Sequence, residues 1–300
     1  MLKLLVTGAS GYIGRKFCED YAKNYDFTCV SLREKKIEYI DFSGIETILH
    51  LSALVHQKES QPADEYFRVN YKQTIDLAKA AKLNGVRHFV FFSTVAVYGL
   101  NGYLDGEEEY IITEESKCNP VDPYGESKLS AEIGLLALED EDFVVSIIRP
   151  PVVYGAACPG NMTRLLEIVK KIPVLPFDFS KNKRSMVFIG NLTNFTNLII
   201  LKKIRGVTIP QDKEIFSIKK IVQLLSKCSN RKVFLLKFPK IIFNYLCARY
   251  RRTMCSLYGS LVFDSTSSNQ RVGFVAPFSA DEGLCLMSSA KQDKSDADGI

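Results

Sequence analysis

Short, strongly apolar runs punctuate the first half of the chain. Leu2 to Thr7, Phe27 to Leu32, Thr47 to Leu51, Phe89 to Ser93 and Val144 to Ile148 read as strands. Arg15 to Asn24, Tyr71 to Asn84 and Lys128 to Leu138 read as helices between them. Strands that alternate with helices predict a parallel sheet covered on both faces. Ligands of such a sheet gather beyond the carboxyl ends of its strands.

The first strand runs straight into GASGYIG, residues 8–14, which opens a helix. Gly8 permits a tight turn, Gly11 lets the backbone approach a diphosphate, and Gly14 allows close packing of helix on strand. The helix start aims unpaired N–H groups at that phosphate, so no cationic side chain is required. A dinucleotide site is therefore expected at Gly8, Ser10, Gly11, Tyr12, Ile13 and Gly14. The second strand ends in Ser31-Leu32-Arg33, with Glu34 next. An acid at this place bonds the adenosine ribose of NAD, whereas a cation suits the extra phosphate of NADP. Arg33 tilts the reading towards NADP; Glu34 turned to the ribose would serve NAD, and Lys35-Lys36 also fit a solvated charged turn.

Further along, VFFSTVAVYG leaves Ser93 and Thr94 where a strand ends, and PVDPYGESKLSAE places Tyr124 and Lys128 four apart on one helical face. Such a pair is common on exposed helices, and only its surroundings give it chemistry. Tyrosine titrates near pH 10, so proton transfer around neutrality calls for a neighbouring cation. Lys128 is expected to lower the Tyr124 pKa and to reach a ribose hydroxyl, while Thr94 holds the substrate oxygen beside the phenol. Together they form a proton relay for interconverting a hydroxyl and a carbonyl, with the dinucleotide exchanging hydride.

At 300 residues and 33.8 kDa, the chain has room for one large α/β unit and a smaller lobe. A net charge of +5 is too small to argue for nucleic acid. Eight cysteines never fall in CxxC or CxxxC spacing, so the expectation is no metal site, with scattered buried thiols in a reducing, cytoplasmic setting. No signal peptide and no continuous membrane span is apparent. Residues 234–252, FLLKFPKIIFNYLCARYRR, suit packing in the smaller lobe, although a helix from Lys240 to Arg252 could also lie on an anionic membrane surface.

GASGYIG, HLSALVH at 50–56, VFFSTVAVYG, PYGESK at 123–128 and IIRPPVVYG at 147–155 resemble, in this order, the extended short-chain dehydrogenase/reductase superfamily. Within it the resemblance is to nucleotide-sugar epimerases, dehydratases and 4-keto reductases of the NAD-dependent epimerase/dehydratase family. It runs from Met1 to about Leu286 and implies a Rossmann-type domain over 1–155 and a carboxyl-terminal α/β substrate lobe over 156–287, with segments returning to the first domain. Residues 288–300 are expected to be a flexible tail. The resemblance makes Tyr124 the acid/base, Lys128 its activator and ribose contact, and Thr94 the ligand of the reacting hydroxyl. It places Leu51, Ser52 and Ala53 beside the cofactor, and Pro150, Pro151 and Val152 near the nicotinamide. Asn70 supports a strand end or braces a helix.

In the lobe, Asn161 resembles a residue near the sugar or diphosphate, Arg184 resembles the diphosphate-binding arginine, and Arg271 is a second phosphate candidate. The implied partners are a UDP-linked sugar and a second copy of the chain. Two departures stand out. Only residues 33–46 separate the second strand from the third, shortening the adenine-side wall. Thr94 is followed by Val95 and Ala96 rather than the acidic pair that dehydratases use to eliminate water, which disfavours dehydration. RPPVVYG, PGNMTRLL and NKRS place a UDP-4-keto-6-deoxy-N-acetylhexosamine reductase, using NADP or NAD, narrowly ahead of a UDP-sugar 4-epimerase of the UDP-glucose or UDP-N-acetylglucosamine type. A non-catalytic dinucleotide-binding regulator is the remaining alternative.

Overall fold

Alternate residues of the central strands point into two separate cores. The computed structural model describes residues 1–55, 61–100, 102–104, 107, 109–178, 182–237 and 239–289. Its main sheet has six parallel strands: β1 (Leu2–Thr7), β2 (Tyr25–Val30), β3 (Thr47–His50), β4 (His88–Phe92), β6 (Val144–Ile148) and β10 (Gly206–Thr208), ordered β10-β6-β4-β3-β1-β2. Three two-stranded pairs complete the strands: β5 (Ile111–Ile112) with β12 (Val262–Phe263), β7 (Val152–Tyr154) with β9 (Met186–Phe188), and β8 (Val174–Leu175) with β11 (Phe234–Leu235). The helices are α1 (Tyr12–Asp20), α2 (Ala63–Tyr66), α3 (Gln73–Leu83), α4 (Pro123–Leu136), α5 (Asn161–Lys171), α6 (Ile189–Lys202), α7 (Ile218–Cys228), α8 (Lys240–Arg249), α9 (Arg251–Tyr258), α10 (Thr266–Val272) and α11 (Ala280–Ser289).

Leu4, Val6, Leu49 and Val90 join the core shared with α1 and α6, whereas Leu5, Ile48, Phe89 and Phe91 face α3 and α4. This period of two, with both faces covered, makes the strands apolar throughout. Fully burying one such side chain contributes about 1.5–3 kcal/mol. The direction of chain crossover reverses between β1, which pairs with both β2 and β3, and the strands beyond. A crevice therefore opens at the carboxyl ends of β1 and β3, where α/β sheets bind ligands. After β9, the chain returns to the main sheet through α6 and β10.

Several boundaries differ from expectation. β2 starts at Tyr25, whose ring is buried against Phe17 and Phe27, and it stops at Val30 because the Ser31 carbonyl accepts from Glu34 and Lys35 and turns the chain. Between Arg33 and Glu46 there is only a 3₁₀ turn, Ile37–Tyr39. The helix expected over 71–84 begins at Ala63, after Pro62 and with Asp64 and Glu65 in its first turn, and passes through a π turn at Phe67–Lys72 into α3. α4 starts at Pro123, carrying both Tyr124 and Lys128 as expected, because Asp122 Oδ1 accepts from Gly125 N at 2.8 Å and caps it. The segment 240–252 forms two helices divided at Tyr250.

Ser288 and Ser289 close α11 rather than beginning a tail; residues 290–300 lie outside the described residues, as do His56 to Ser60. Cysteine usage is also corrected. Cys228 and Cys285 form a disulfide between α7 and α11, Cys29 is exposed, and only Cys158 and Cys255 are buried free thiols. A separation of 57 residues leaves no local spacing to read.

Candidate active site

Two glycines force the ends of β1 and β3 together. Gly8 has φ +73°, and a Cβ there would lie 2.7 Å from Ser52 N and 2.9 Å from Leu51 C. At Gly14 a Cβ would run into the Gly8 carbonyl oxygen and lie 2.8 Å from Ala9 Cα, so the helix can seat on the turn only without one. Gly11 is exposed and begins α1, which has neither a side-chain cap nor an acidic residue in its first turn. That helix start is open to an anion. Ser10 is exposed beside it, Ile13 is half-buried, and the Tyr12 hydroxyl is buried without a partner, its pKa raised by burial. The loop thus meets the geometric needs of a dinucleotide diphosphate. Gly14→Ala is expected to destabilise the fold by about 1–3 kcal/mol and to weaken dinucleotide binding, measured by denaturant titration and calorimetry. Parental values for both would contradict the close packing.

Beyond β2 and β3 a cavity of about 410 Å³ is lined by Leu32, Arg33, Ser52, Ala53, Glu65 and Arg68, among others. Arg68 Nε donates to Glu65 at 2.8 Å, leaving Arg33 as the other cation of its lining. Glu34 is exposed on the adjoining turn.

β4 delivers Thr94. Its Oγ1 accepts from Ala96 N at 3.2 Å and starts the 3₁₀ turn Val95–Tyr98. α4 brings Tyr124 to it, since Gly125 sits where a Cβ would lie 3.0 Å from Ala96 O. Thr94 lies close enough to the half-buried Tyr124 phenol to lower its pKa, and Tyr66 packs edge-on at 6.4 Å between ring centroids. One turn on, Lys128 Nζ donates to Phe92 O at 2.7 Å and lies 4.5 Å from the Phe91 ring centroid. Burial pushes the Tyr124 pKa up to about 12, against the lowering influence of Thr94. Burial likewise pushes Lys128 down to about 7, against the pull of Glu132. The expected depression of the Tyr124 pKa by Lys128 is absent from the influences on it: burial dominates, and Thr94 opposes the rise.

These shifts carry a stability signature. From pH 7 to about 10.4 the unfolded chain keeps the Lys128 proton that the fold releases, so stability rises with pH by at most about 1.4 kcal/mol per unit. From about pH 10 to 12 the sign reverses, because folded Tyr124 keeps a proton that the unfolded chain loses. Lys128→Met should flatten the rise between pH 7 and 10 in denaturant titrations; an unchanged slope would contradict it.

Buried polar groups hold this arrangement, among them Asn70 in its expected bracing place. Asn70, buried in the π turn, accepts from Leu54 N at 2.7 Å and donates to Leu54 O at 3.0 Å and Ser127 Oγ at 3.1 Å. Ser127 donates to the Tyr124 carbonyl at 2.8 Å. Thr74 donates to Asn70 O, leaving its oxygen to accept from His50 Nε2 at 2.8 Å, so that Nδ1 accepts from Thr7 at 2.7 Å. Burial, then the charge of Lys128, pushes His50 down to about 3 and keeps it neutral. Behind Lys128, Glu132 receives a two-pronged bond from Arg149 and a further bond from Ser93, while Arg149 Nη1 donates to Tyr98 Oη at 2.7 Å. Glu132 follows Lys128 by four residues, a spacing that was readable as one helical face.

The remaining expected residues are placed as follows. Pro150 and Pro151 are buried between β6 and β7, and Pro150 O accepts from Val95 N at 3.4 Å; Val152 is exposed. Asn161 is the exposed first residue of α5, after Gly160 at φ +91°. Arg184 in the lobe donates through Nη2 to Cys255 O at 2.7 Å and Ser256 O at 2.6 Å, with Nε buried and unpartnered. Arg271 bonds the carbonyls of Arg205 and Val207, bracing the outer strand β10. An edge strand leaves carbonyls unpaired, and Arg271 answers them.

The geometry is thus a glycine turn with an open helix start, suited to an anion, and a tyrosine set beside a threonine, at the carboxyl ends of β1, β3 and β4. Similar proteins carry the same fold. The chain is 28% identical to the UDP-glucose 4-epimerase of Vibrio cholerae, over 94% of this chain and 93% of that one. It is 24% identical to the N-acetyl-alpha-D-glucosaminyl-diphospho-ditrans,octacis-undecaprenol 4-epimerase of Escherichia coli O157:H7, over 94% and 92%. Among solved structures, the UDP-glucuronic acid 4-epimerase from Bacillus cereus in complex with NAD superposes with a TM-score of 0.73 at 22% identity, covering 96% and 97% of the two chains. The NAD dependent epimerase/dehydratase family matches residues 4–211, and the chain is an enzyme of that family.

Proposed function

We propose that the chain is an NAD-dependent 4-epimerase of a UDP-linked sugar, of the UDP-glucose or UDP-N-acetylglucosamine type. The observation that carries the reading is the placing of Thr94 beside Tyr124, with Lys128 one turn behind and the glycine turn at the neighbouring strand ends. Bound NAD supplies an acceptor and later a donor of hydride at C4. Thr94 holds the C4 oxygen beside Tyr124, whose phenolate form takes the hydroxyl proton as the ketone forms; the resulting phenol returns that proton when the ketone is reduced from the other face. Lys128 positions the ribose from behind the tyrosine, and Arg184 and Asn161 hold the diphosphate from the lobe.

The ketoreductase reading, narrowly ahead on motifs alone, takes second place. Similarity to curated 4-epimerases over nearly the whole chain favours an enzyme that recycles its own hydride. Val95 and Ala96 after Thr94 supply no proton-transferring groups for dehydration. The extracted ligand is the cheapest test. Protein purified without added nucleotide should release NAD on denaturation, whereas an empty site that saturates with NADPH would favour the reductase.

NAD is also preferred over NADP, since a solved neighbour of the same fold holds NAD; Arg33, the cation that would suit NADP, is the residue that tests the choice. Arg33→Asp should weaken NADPH more than NADH, since it sets a like charge against the ribose phosphate. Equal effects in a calorimetric titration would make Arg33 a surface residue.

A further inference from the structure

The cations of this chain are unevenly placed. Seven lysine and arginine residues lie between Arg231 and Arg252 with no aspartate or glutamate among them, so a chain of net charge +5 is net acidic elsewhere. The same segment concentrates exposed apolar side chains. Ile241 is 86% exposed, Tyr245 67% and Phe234 66%, with Leu236 and Tyr250 also exposed.

α8 explains the exposure. Phe243, Leu246 and Cys247 turn one side of the helix to the lobe core, with the Phe243 ring 5.4 Å from that of Tyr258. At 3.6 residues per turn, Ile241, Tyr245 and Arg249 share the opposite side, and all three are exposed. Both sides of α8 are thus apolar, but only one has a partner. Phe234 extends the surface onto β11, where it pairs with Val174, itself exposed. Of the cations, Arg251 is paired with Glu107 at 2.7 Å, while Arg231, Lys232, Lys237 and Arg249 are exposed around the apolar positions.

We propose that this face of the substrate lobe docks on an anionic lipid surface. Isoleucine and phenylalanine enter the boundary between head groups and acyl chains, tyrosine lies at head-group level, and the arginines and lysines meet anionic head groups. A second copy of the chain fits less well, since a twofold contact would set this cationic face against itself. A polyanion such as RNA has no use for the isoleucine and phenylalanine. One interfacial helix and its cations give reversible binding rather than permanent anchoring.

Co-sedimentation of the purified full chain with lipid vesicles tests this without reference to turnover. Binding to phosphatidylcholine vesicles containing roughly a quarter phosphatidylglycerol should exceed binding to pure phosphatidylcholine by about tenfold or more and fall as salt is raised. Ile241→Glu with Tyr245→Glu should reduce it by about tenfold or more while leaving turnover of a soluble sugar nucleotide unchanged. Charge reversal at Lys237 and Arg249 should do the same with every apolar position intact. Absence of binding to the anionic vesicles, or binding that survives both sets of substitutions, would overturn the proposal. So would a dimer in sedimentation velocity that the double glutamate variant dissociates, with no vesicle binding by the parent.

Discussion

Tyr124→Phe is expected to lower kcat by about 10²–10⁴-fold, the usual worth of general acid/base assistance, while folding and dinucleotide binding persist. The phenylalanine ring keeps the packing against Tyr66 and the place of α4, but nothing then exchanges a proton with the C4 oxygen. Single-turnover rates on the substrate, with calorimetry for the dinucleotide, separate these effects. Near-parental turnover would remove Tyr124 from the chemistry.

Arg149→Met should cost about 3–5 kcal/mol of stability, because it leaves the Glu132 carboxylate buried without its guanidinium. Both side chains are almost wholly enclosed, at 6% and 2% exposure. Burial works against the charge of Arg149, but Glu132 outweighs it and holds the guanidinium above its ordinary pKa. A double variant, Glu132→Leu with Arg149→Met, should regain much of the loss, since apolar replacement of a whole buried pair is often neutral. Denaturant titration of the three proteins checks this. A loss below about 1 kcal/mol in Arg149→Met would mean that the pair is wet and screened.

Much of this was legible because the decisive constraints are local. Gly8 and Gly14 had to be glycine, since a Cβ at either would strike backbone already fixed by the turn. The sheet was legible because Leu4, Leu5 and Val6 are all buried, which only a strand covered on both faces requires. The helix start at Ala63 was missed although Pro62, Asp64 and Glu65 signal one. The π turn around Asn70 was not readable, because it is defined by Leu54 and Ser127, which lie far from it along the chain. The Thr7, His50 and Thr74 relay spans three elements, and His50 looked like one polar residue in an apolar strand. The contact of Arg271 with the edge strand was hidden for the same reason, since Val207 lies far from it along the chain.

The central claim is that one active site removes and returns hydride at C4 of a UDP-linked sugar. The direct measurement is nuclear magnetic resonance of UDP-glucose and of UDP-N-acetylglucosamine incubated with the purified protein and NAD. The account predicts conversion of at least one of them to an equilibrium mixture of its two C4 epimers, with no net formation of NADH and with the conversion abolished in Tyr124→Phe. Stoichiometric consumption of NADPH or NADH with a 4-keto-6-deoxy sugar nucleotide, and no exchange between epimers of either sugar, would contradict it and identify a reductase.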